Sequence, residues 1–220
     1  MKVKEHHVDW THLLGKGSFG EVFRGCLNNG VACAVKCALD QEDAEMLRSE
    51  GEIGKTLRHE NILTVYDVFV ARGRQCVSLE LCDLGDLRQY IDHLKHSRAD
   101  ARVCTALLQT RQLLSAVLHL HASGFMHRDI KPANILMKDD GNGATILKLA
   151  DFGLVVSNNE WVYEFAGTVS YMSPEQLDSW CQTCCDVWAV GAVMYELLQL
   201  EDLIPGDLDD EHDVSGFSVG

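Results

Sequence analysis

The residues best suited to chemistry in this chain are His127-Arg128-Asp129-Ile130-Lys131-Pro132-Ala133-Asn134. Asp129 can accept the hydrogen bond of an attacking hydroxyl and aim it at a phosphate. Lys131, two residues on, can neutralise charge that develops on a transferred phosphoryl group. Asn134 adds a neutral oxygen donor of the kind Mg2+ accepts. Seventeen residues after Asn134 comes Asp151-Phe152-Gly153, and Asp151 offers the hard carboxylate that Mg2+ bridging two phosphates requires. Asp-Phe-Gly is a frequent tripeptide; its place and order here give it weight. Three clustered charges beside a core helix have no ready structural explanation.

The phosphate-binding half lies upstream. In Gly15-Lys16-Gly17-Ser18-Phe19-Gly20-Glu21-Val22 the glycines let backbone N–H groups approach phosphate oxygens without side-chain obstruction. Such hairpins are common alone, and dinucleotide folds use a related pattern in which the loop opens a helix. Glu21-Val22-Phe23 instead reads on as a strand. Lys36 ends the apolar run from Val31 and is placed to meet the α- and β-phosphates, although an isolated strand-end lysine is usually just solvated. It needs a carboxylate to orient it. Glu50, counted back from Arg58-His59-Glu60-Asn61-Ile62, is preferred; Glu45 and Glu52 are the alternatives.

Positioning these groups requires strands first and helices later. Val8–Leu14, Glu21–Leu27 and Val31–Cys37 are β-favouring, with Asn29-Gly30 as a hairpin signal. Asp40 is suited to cap a helix running to about Leu57, which Gly51 and Gly54 weaken by about 1 kcal/mol each. Strands are expected near Ile62–Val70 and Cys76–Leu81. Beyond Gly85 the pattern becomes helical: Asp86–Lys95, Ala101–Ser123 capped by Gly124, and Asp186–Leu200. In the second of these, Val103, Leu107, Leu114, Val117, Leu118 and Leu120 suggest the buried face.

The 220 residues suffice for one large domain or two lobes, and no apolar run approaches the roughly 20 residues that span a bilayer. No signal peptide is visible, and nine unframed cysteines fit a reducing compartment, so a cytoplasmic or nuclear location is expected. Cys181, Cys184 and Cys185 lack the second pair of a closed zinc site and read as unliganded thiols. The net charge of −14 comes wholly from residues 149–220, which hold 14 acidic residues and no Lys or Arg. That half disfavours nucleic acid and anionic membranes. It could favour basic peptides, though a solvated acidic face explains it equally.

Taken together these segments resemble the eukaryotic protein kinase family, from about Trp10 to Leu200 and most specifically between His127 and Gly153. The resemblance implies an α+β bilobal fold across 8–200: a small β-sheet lobe with one helix (about 8–81), a hinge at 80–86, and a mainly helical large lobe (about 86–200). It implies ATP and Mg2+ as cofactors, with Asn134 and Asp151 as metal ligands and Asp129, Lys131, Lys36 and Glu50 as catalytic residues. Leu14, Gly15, Gly17, Gly20, Val22 and Ala34 would cover the nucleotide, Leu79 would be the gatekeeper, and Glu80-Leu81-Cys82 the hinge. Asp86 would reach the ribose. Phe152, Gly153, Thr168 and Glu175 would belong to the activation segment, in which Ser173 replaces the usual Ala before Pro174-Glu175. Lys131 with Thr168 is the pattern of Ser/Thr-specific members, which act on protein hydroxyls. His127, Arg128 and Asp186 would be structural supports.

Three departures from that pattern generate expectations. Gly54 stands where a bulky apolar residue normally joins Val65, Phe152 and His127 in a column linking the lobes, so a gap is expected there and, with it, dependence on an activating protein partner. Arg128 normally pairs with a loop phosphate; Glu160 or Glu164 is expected to stand in for one. The family's large lobe continues through more helices, one of which supplies an arginine to the residue equivalent to Glu175. The lobe is therefore expected to be incomplete, with Glu175 lacking that arginine and 201–220 forming a disordered acidic tail. Two functions follow: an active Ser/Thr kinase, or a truncated kinase-like binding or regulatory protein impaired in catalysis. A nicotinamide or flavin enzyme leaves His127–Asn134 and Asp151 unexplained.

Overall fold

The computed structural model describes residues 7–17, 20–94, 99–159 and 162–200. Strands β1 (His7–Gly17), β2 (Gly20–Cys26) and β3 (Ala32–Cys37) precede helix α1 (Gln41–Thr56), and β4 (Val65–Ala71) and β5 (Arg74–Glu80) complete an antiparallel five-stranded sheet ordered β1-β2-β3-β5-β4. Gly30 turns the β2–β3 hairpin at φ +84°, as Asn29-Gly30 leads one to expect. Ser18 and Phe19, between β1 and β2 in the sequence, lie outside the described residues.

Asp40 caps α1 by accepting the N–H groups of Glu42 and Asp43 at 2.9 and 3.0 Å. Gly51 and Gly54 face the sheet. A Cβ on Gly51 would come within 2.6 Å of Val68 Cγ2, and one on Gly54 within 2.4 Å of Val65 Cγ2. The two glycines that weaken the helix thus allow it to sit directly against β4 and β5. The gap expected at Gly54 does not exist: Val65 and Phe152 already occupy the space, with Phe152 Cδ2 3.3 Å from where a Cβ would stand.

The second half contains α2 (Leu87–Leu94), α3 (Ala99–Ala122), β6 (Phe125–Met126), β7 (Ile135–Asp139), β8 (Thr145–Leu149), β9 (Val156–Ser157), α4 (Pro174–Leu177) and α5 (Thr183–Gln199). β7 pairs with β8 and β6 with β9. Leu113, Leu120, Ile130, Ile135, Leu149 and Val193 are central to the core that joins α3, α5 and the β7–β8 hairpin. Each such side chain contributes about 1.5–3 kcal/mol by leaving water. The α+β division expected from the sequence is the one observed. No helix among the described residues is long and apolar enough to cross a membrane.

Several boundaries and one helix face differ from expectation. β4 begins at Val65 because Asn61–Leu63 instead ties the small lobe to β8: the Leu63 N–H donates to the Leu149 carbonyl and the Leu149 N–H to the Asn61 carbonyl, at 2.9 and 2.8 Å. α2 begins at Leu87, capped by the Asp86 carboxylate, and Lys95 lies outside the described residues. α5 starts at Thr183, one turn earlier than expected. On α3, Val103, Leu107, Leu114 and Leu118 are exposed; Ala106, Gln109, Leu113, Ala116, Val117 and Leu120 form the buried face. Apolar residues are spread around this helix among polar ones, so periodicity could not choose the face. The expected tail, 201–220, lies outside the described residues.

Candidate active site

The loop between β6 and β7 is held from below. Asp186, in the first turn of α5 and 1% exposed, accepts the N–H groups of His127 and Arg128, both at 2.8 Å. Its Oδ2 also lies 2.7 Å from His121 Nε2. Arg128 and Asp151 adopt left-handed backbone angles, φ +70° and +63°. Such conformations cost on the order of 1–3 kcal/mol in a residue other than glycine, and the surrounding hydrogen bonds sustain them. The His127 ring meets the Ala150 carbonyl at 3.0 Å and packs edge-on against Phe152. Phe152 in turn approaches the bare face of Gly54, where Val65 lies on the other side.

Asp129 sits at the mouth of this loop with both oxygens engaged. Thr168 donates its hydroxyl to Oδ1 at 2.7 Å, and Asn134 donates its amide to Oδ2 at 2.8 Å. Lys131 Nζ lies 3.1 Å from Oδ2 and donates to Thr168 Oγ1 at 2.6 Å. Asn134 spends its N–H groups on the Asp129 side chain and carbonyl, which turns its own amide oxygen free to accept a cation.

Across the cleft, Lys36 donates to both oxygens of Glu50, at 3.1 and 2.8 Å, and lies 3.8 Å from Asp151. Of the three carboxylates considered as its partner, Glu50 is the one on the inner face of α1; Glu45 and Glu52 point to solvent. Burial works against the charge on Lys36, but Glu50 and Asp151 outweigh it and raise its pKa. Burial also raises the pKa of Glu50, with Lys36 pulling the other way. A cavity of about 120 Å3 lies between Lys36, Leu47, Glu50, Asp129 and Asp151.

The roof follows from register. Val22 is opposite Lys36, and Ala34 is opposite Leu79, so all four lie on the same face of the sheet. Leu14 is at the open edge, 43% exposed, and Gly15, Gly17 and Gly20 flank the β1–β2 turn. Glu80 turns the other way. Its carboxylate pairs with Lys138 at 2.7 Å and Lys148 at 2.9 Å, and its N–H is spent on the Thr64 carbonyl at 2.8 Å. Glu80 can therefore offer an occupant only its carbonyl. Burial pushes the neighbouring Cys82 thiol up to about 12. Nothing in the sequence marked the two lysines as partners of Glu80.

The segment after Gly153 closes the site. Gly167 (φ +119°) passes so near the Arg128 carbonyl that a Cβ would lie 2.5 Å from it. Gln176 in α4 fastens that approach by donating to the carbonyls of Arg128 and Ala166 at 3.0 and 2.8 Å. The guanidinium of Arg128 donates to the Leu154 carbonyl at 2.9 Å and to Glu164 at 3.0 Å. Glu160 lies outside the described residues. Glu175, expected to lack the family's arginine, takes a thiol instead, since Cys184 donates to it at 3.3 Å. Glu175, Cys184 and Cys185 are close enough to share an ion, but they are three, and this thiol–carboxylate bond already accounts for part of their proximity. Sequence reasoning missed Gln176, and also the buried Glu196, which binds Tyr171 and Arg88.

Known proteins are similar to this chain in sequence. The family model described as protein kinase domain matches residues 9–217. A probable serine/threonine-protein kinase of Dictyostelium discoideum is 34% identical over 195 residues, 84% of this chain and 38% of its own length. Cell division control protein 7 of Schizosaccharomyces pombe is 34% identical over 192 residues, 84% of this chain and 17% of its own. Calcium/calmodulin-dependent protein kinase type II of Caenorhabditis elegans is 35% identical over 204 residues, 87% and 27%. The chain thus spans well under half the length of each of these relatives. A match over nearly all of its residues makes this chain a member of the protein kinase domain family.

Proposed function

We propose that this chain is a protein serine/threonine kinase that transfers the γ-phosphoryl group of ATP to a protein hydroxyl. The observation that carries the reading is the Asp129 carboxylate, held by Lys131, Asn134 and the hydroxyl of Thr168 and facing Asp151 across the cleft. Asp129 accepts the hydrogen bond of the incoming serine or threonine and takes its proton as the new O–P bond forms and ADP leaves. Lys131 offsets charge on the group in transit. Lys36, fixed by Glu50, holds the α- and β-phosphates, and the backbone around Gly15, Gly17 and Gly20 covers them.

Asp151 and Asn134 suit Mg2+, because both present hard oxygen atoms and the Asp151 side chain is 47% exposed toward the cleft. Bound there, Mg2+ would supply positive charge that offsets the charge on the phosphates. Purified protein of verified mass, given labelled ATP and a generic basic protein, should transfer label only with Mg2+, and Asp151→Asn should abolish transfer. Nucleotide binding without any transfer would instead favour a non-catalytic binding protein.

The Arg128–Glu164 pair suits a loop held in its working position without phosphate. Glu164 is exposed and the guanidinium is not, so the pair is worth at most about 1 kcal/mol. Glu164→Ala should lower the initial rate by about five-fold, measured on protein shown by mass to carry no phosphate. An unchanged rate would remove Glu164 from any activating role, and with it the independence from loop phosphorylation.

A further inference from the structure

Cys37 and Cys76 face one another across β3 and β5, on the sheet face opposite Lys36. The next pair along, Ala38 and Gln75, is hydrogen-bonded from the Ala38 N–H to the Gln75 carbonyl at 2.9 Å. Cys37 and Cys76 thus occupy a non-hydrogen-bonded position, where Cα atoms are about 4.5 Å apart. That lies within the 4.4–6.8 Å a disulfide spans. Their sulfur atoms are 2.6 Å apart, about half an ångström longer than an S–S bond. Both thiols are fully buried, among Phe23, Cys33 and Val35.

We propose that Cys37 and Cys76 are an oxidative modification site, a thiol pair that peroxide converts into a disulfide joining the strand of Lys36 to β5. The Cys76 sulfur attacks a peroxide oxygen, the O–O bond breaks, and one water leaves a sulfenic acid. The Cys37 sulfur then attacks the Cys76 sulfur, the S–O bond breaks, and a second water leaves. Two thiols lose two electrons and two protons, and one hydrogen peroxide becomes two waters.

The surroundings favour Cys76 as the first to react. The sulfur–sulfur contact, with Arg74 beside it, holds the Cys76 thiol below its ordinary pKa, while the same contact and burial raise that of Cys37. Arg74 brings a guanidinium to the same end of the sheet, where it donates to the carbonyls of Ala38 and Cys37 at 2.8 and 3.2 Å. A cavity of about 390 Å3 lined by Ala38, Val70, Gly73, Arg74 and Gln75 opens beside that end. Fraying of the last residues of β3 there would admit peroxide to the pair. Bond formation needs only a small approach of two sulfurs, so the cross-link fixes the end of β3 without displacing Lys36 to the other face.

The test uses reduced full-length protein treated with stoichiometric hydrogen peroxide, alkylated and digested without reductant. The expected product is a peptide pair linked through Cys37 and Cys76, two mass units lighter than the separate peptides and split by dithiothreitol. The oxidised protein should also melt about 5 °C or more above the reduced form. Full alkylation of both cysteines after denaturation, while other thiols in the chain have been oxidised, would overturn the proposal. So would a linked pair accompanied by a lower melting temperature, because the bond would then require a displaced sheet. Cys37→Ser should leave Cys76 as a trappable sulfenic acid; if that variant fails to fold, the peptide map of the unaltered protein still decides.

Discussion

Asp129→Asn is expected to slow phosphotransfer by about 10³-fold while leaving the melting temperature and the KM for ATP nearly unchanged. The amide matches the carboxylate in shape, and the surrounding donors can accommodate it. Its oxygen can keep the bonds from Asn134 and Lys131, and its NH2 can donate to Thr168, whose oxygen has a second lone pair. What it cannot do is take a proton from the substrate hydroxyl. A loss confined to kcat is the signature of a group that acts only as the reaction proceeds, and single-turnover kinetics beside thermal melts would reveal it. A rate within two-fold of the unaltered protein would remove Asp129 from the role of base. An equal loss of rate and of thermal stability would point to a structural carboxylate instead.

How much of this site could be read in advance depended on how local its geometry is. Asp129, Lys131 and Asn134 lie within six consecutive residues, so their spacing keeps them close together. Lys36 and Glu50 are 14 residues apart, and the pairing depended on the phase of α1, which left three carboxylates open until the helix docked. Its phase is set by Leu47, Gly51 and Gly54, which face the sheet and bring Glu50 round with them. The pairing of Glu80 with Lys138 and Lys148 brings residues from both lobes together, and no local pattern announces it. The buried face of α3 is hidden in the sequence for a different reason. The apolar residues of this helix are not gathered on one side, and the small Ala106 and Ala116 mark the buried side by permitting close packing rather than by being strongly hydrophobic.

Gly54→Leu is where sequence and structure give opposite predictions. Read from the sequence, a leucine would fill a gap in the column formed with Val65, Phe152 and His127, stabilising the protein and raising its activity. In the structure no gap exists, since the first carbon alone would meet Val65 Cγ2 at 2.4 Å and Phe152 Cδ2 at 3.3 Å. Overpacking a filled core costs about 1–3 kcal/mol, against about 1 kcal/mol regained by removing glycine from a helix. The balance is a lower melting temperature. The larger effect should be on activity. Pushing the helix off β4 carries Glu50, one turn earlier on the same face, away from Lys36. The ion pair that orients Lys36 toward phosphate is then lost, and kcat/KM for ATP should fall more than ten-fold. Adding Val65→Ala to Gly54→Leu opens room for the new side chain and should recover most of both losses. A double-mutant cycle read in melting temperature and in kcat/KM would therefore show strong positive coupling. A single Gly54→Leu variant that is both more stable and more active would reinstate the gap and refute the close packing of α1 on the sheet.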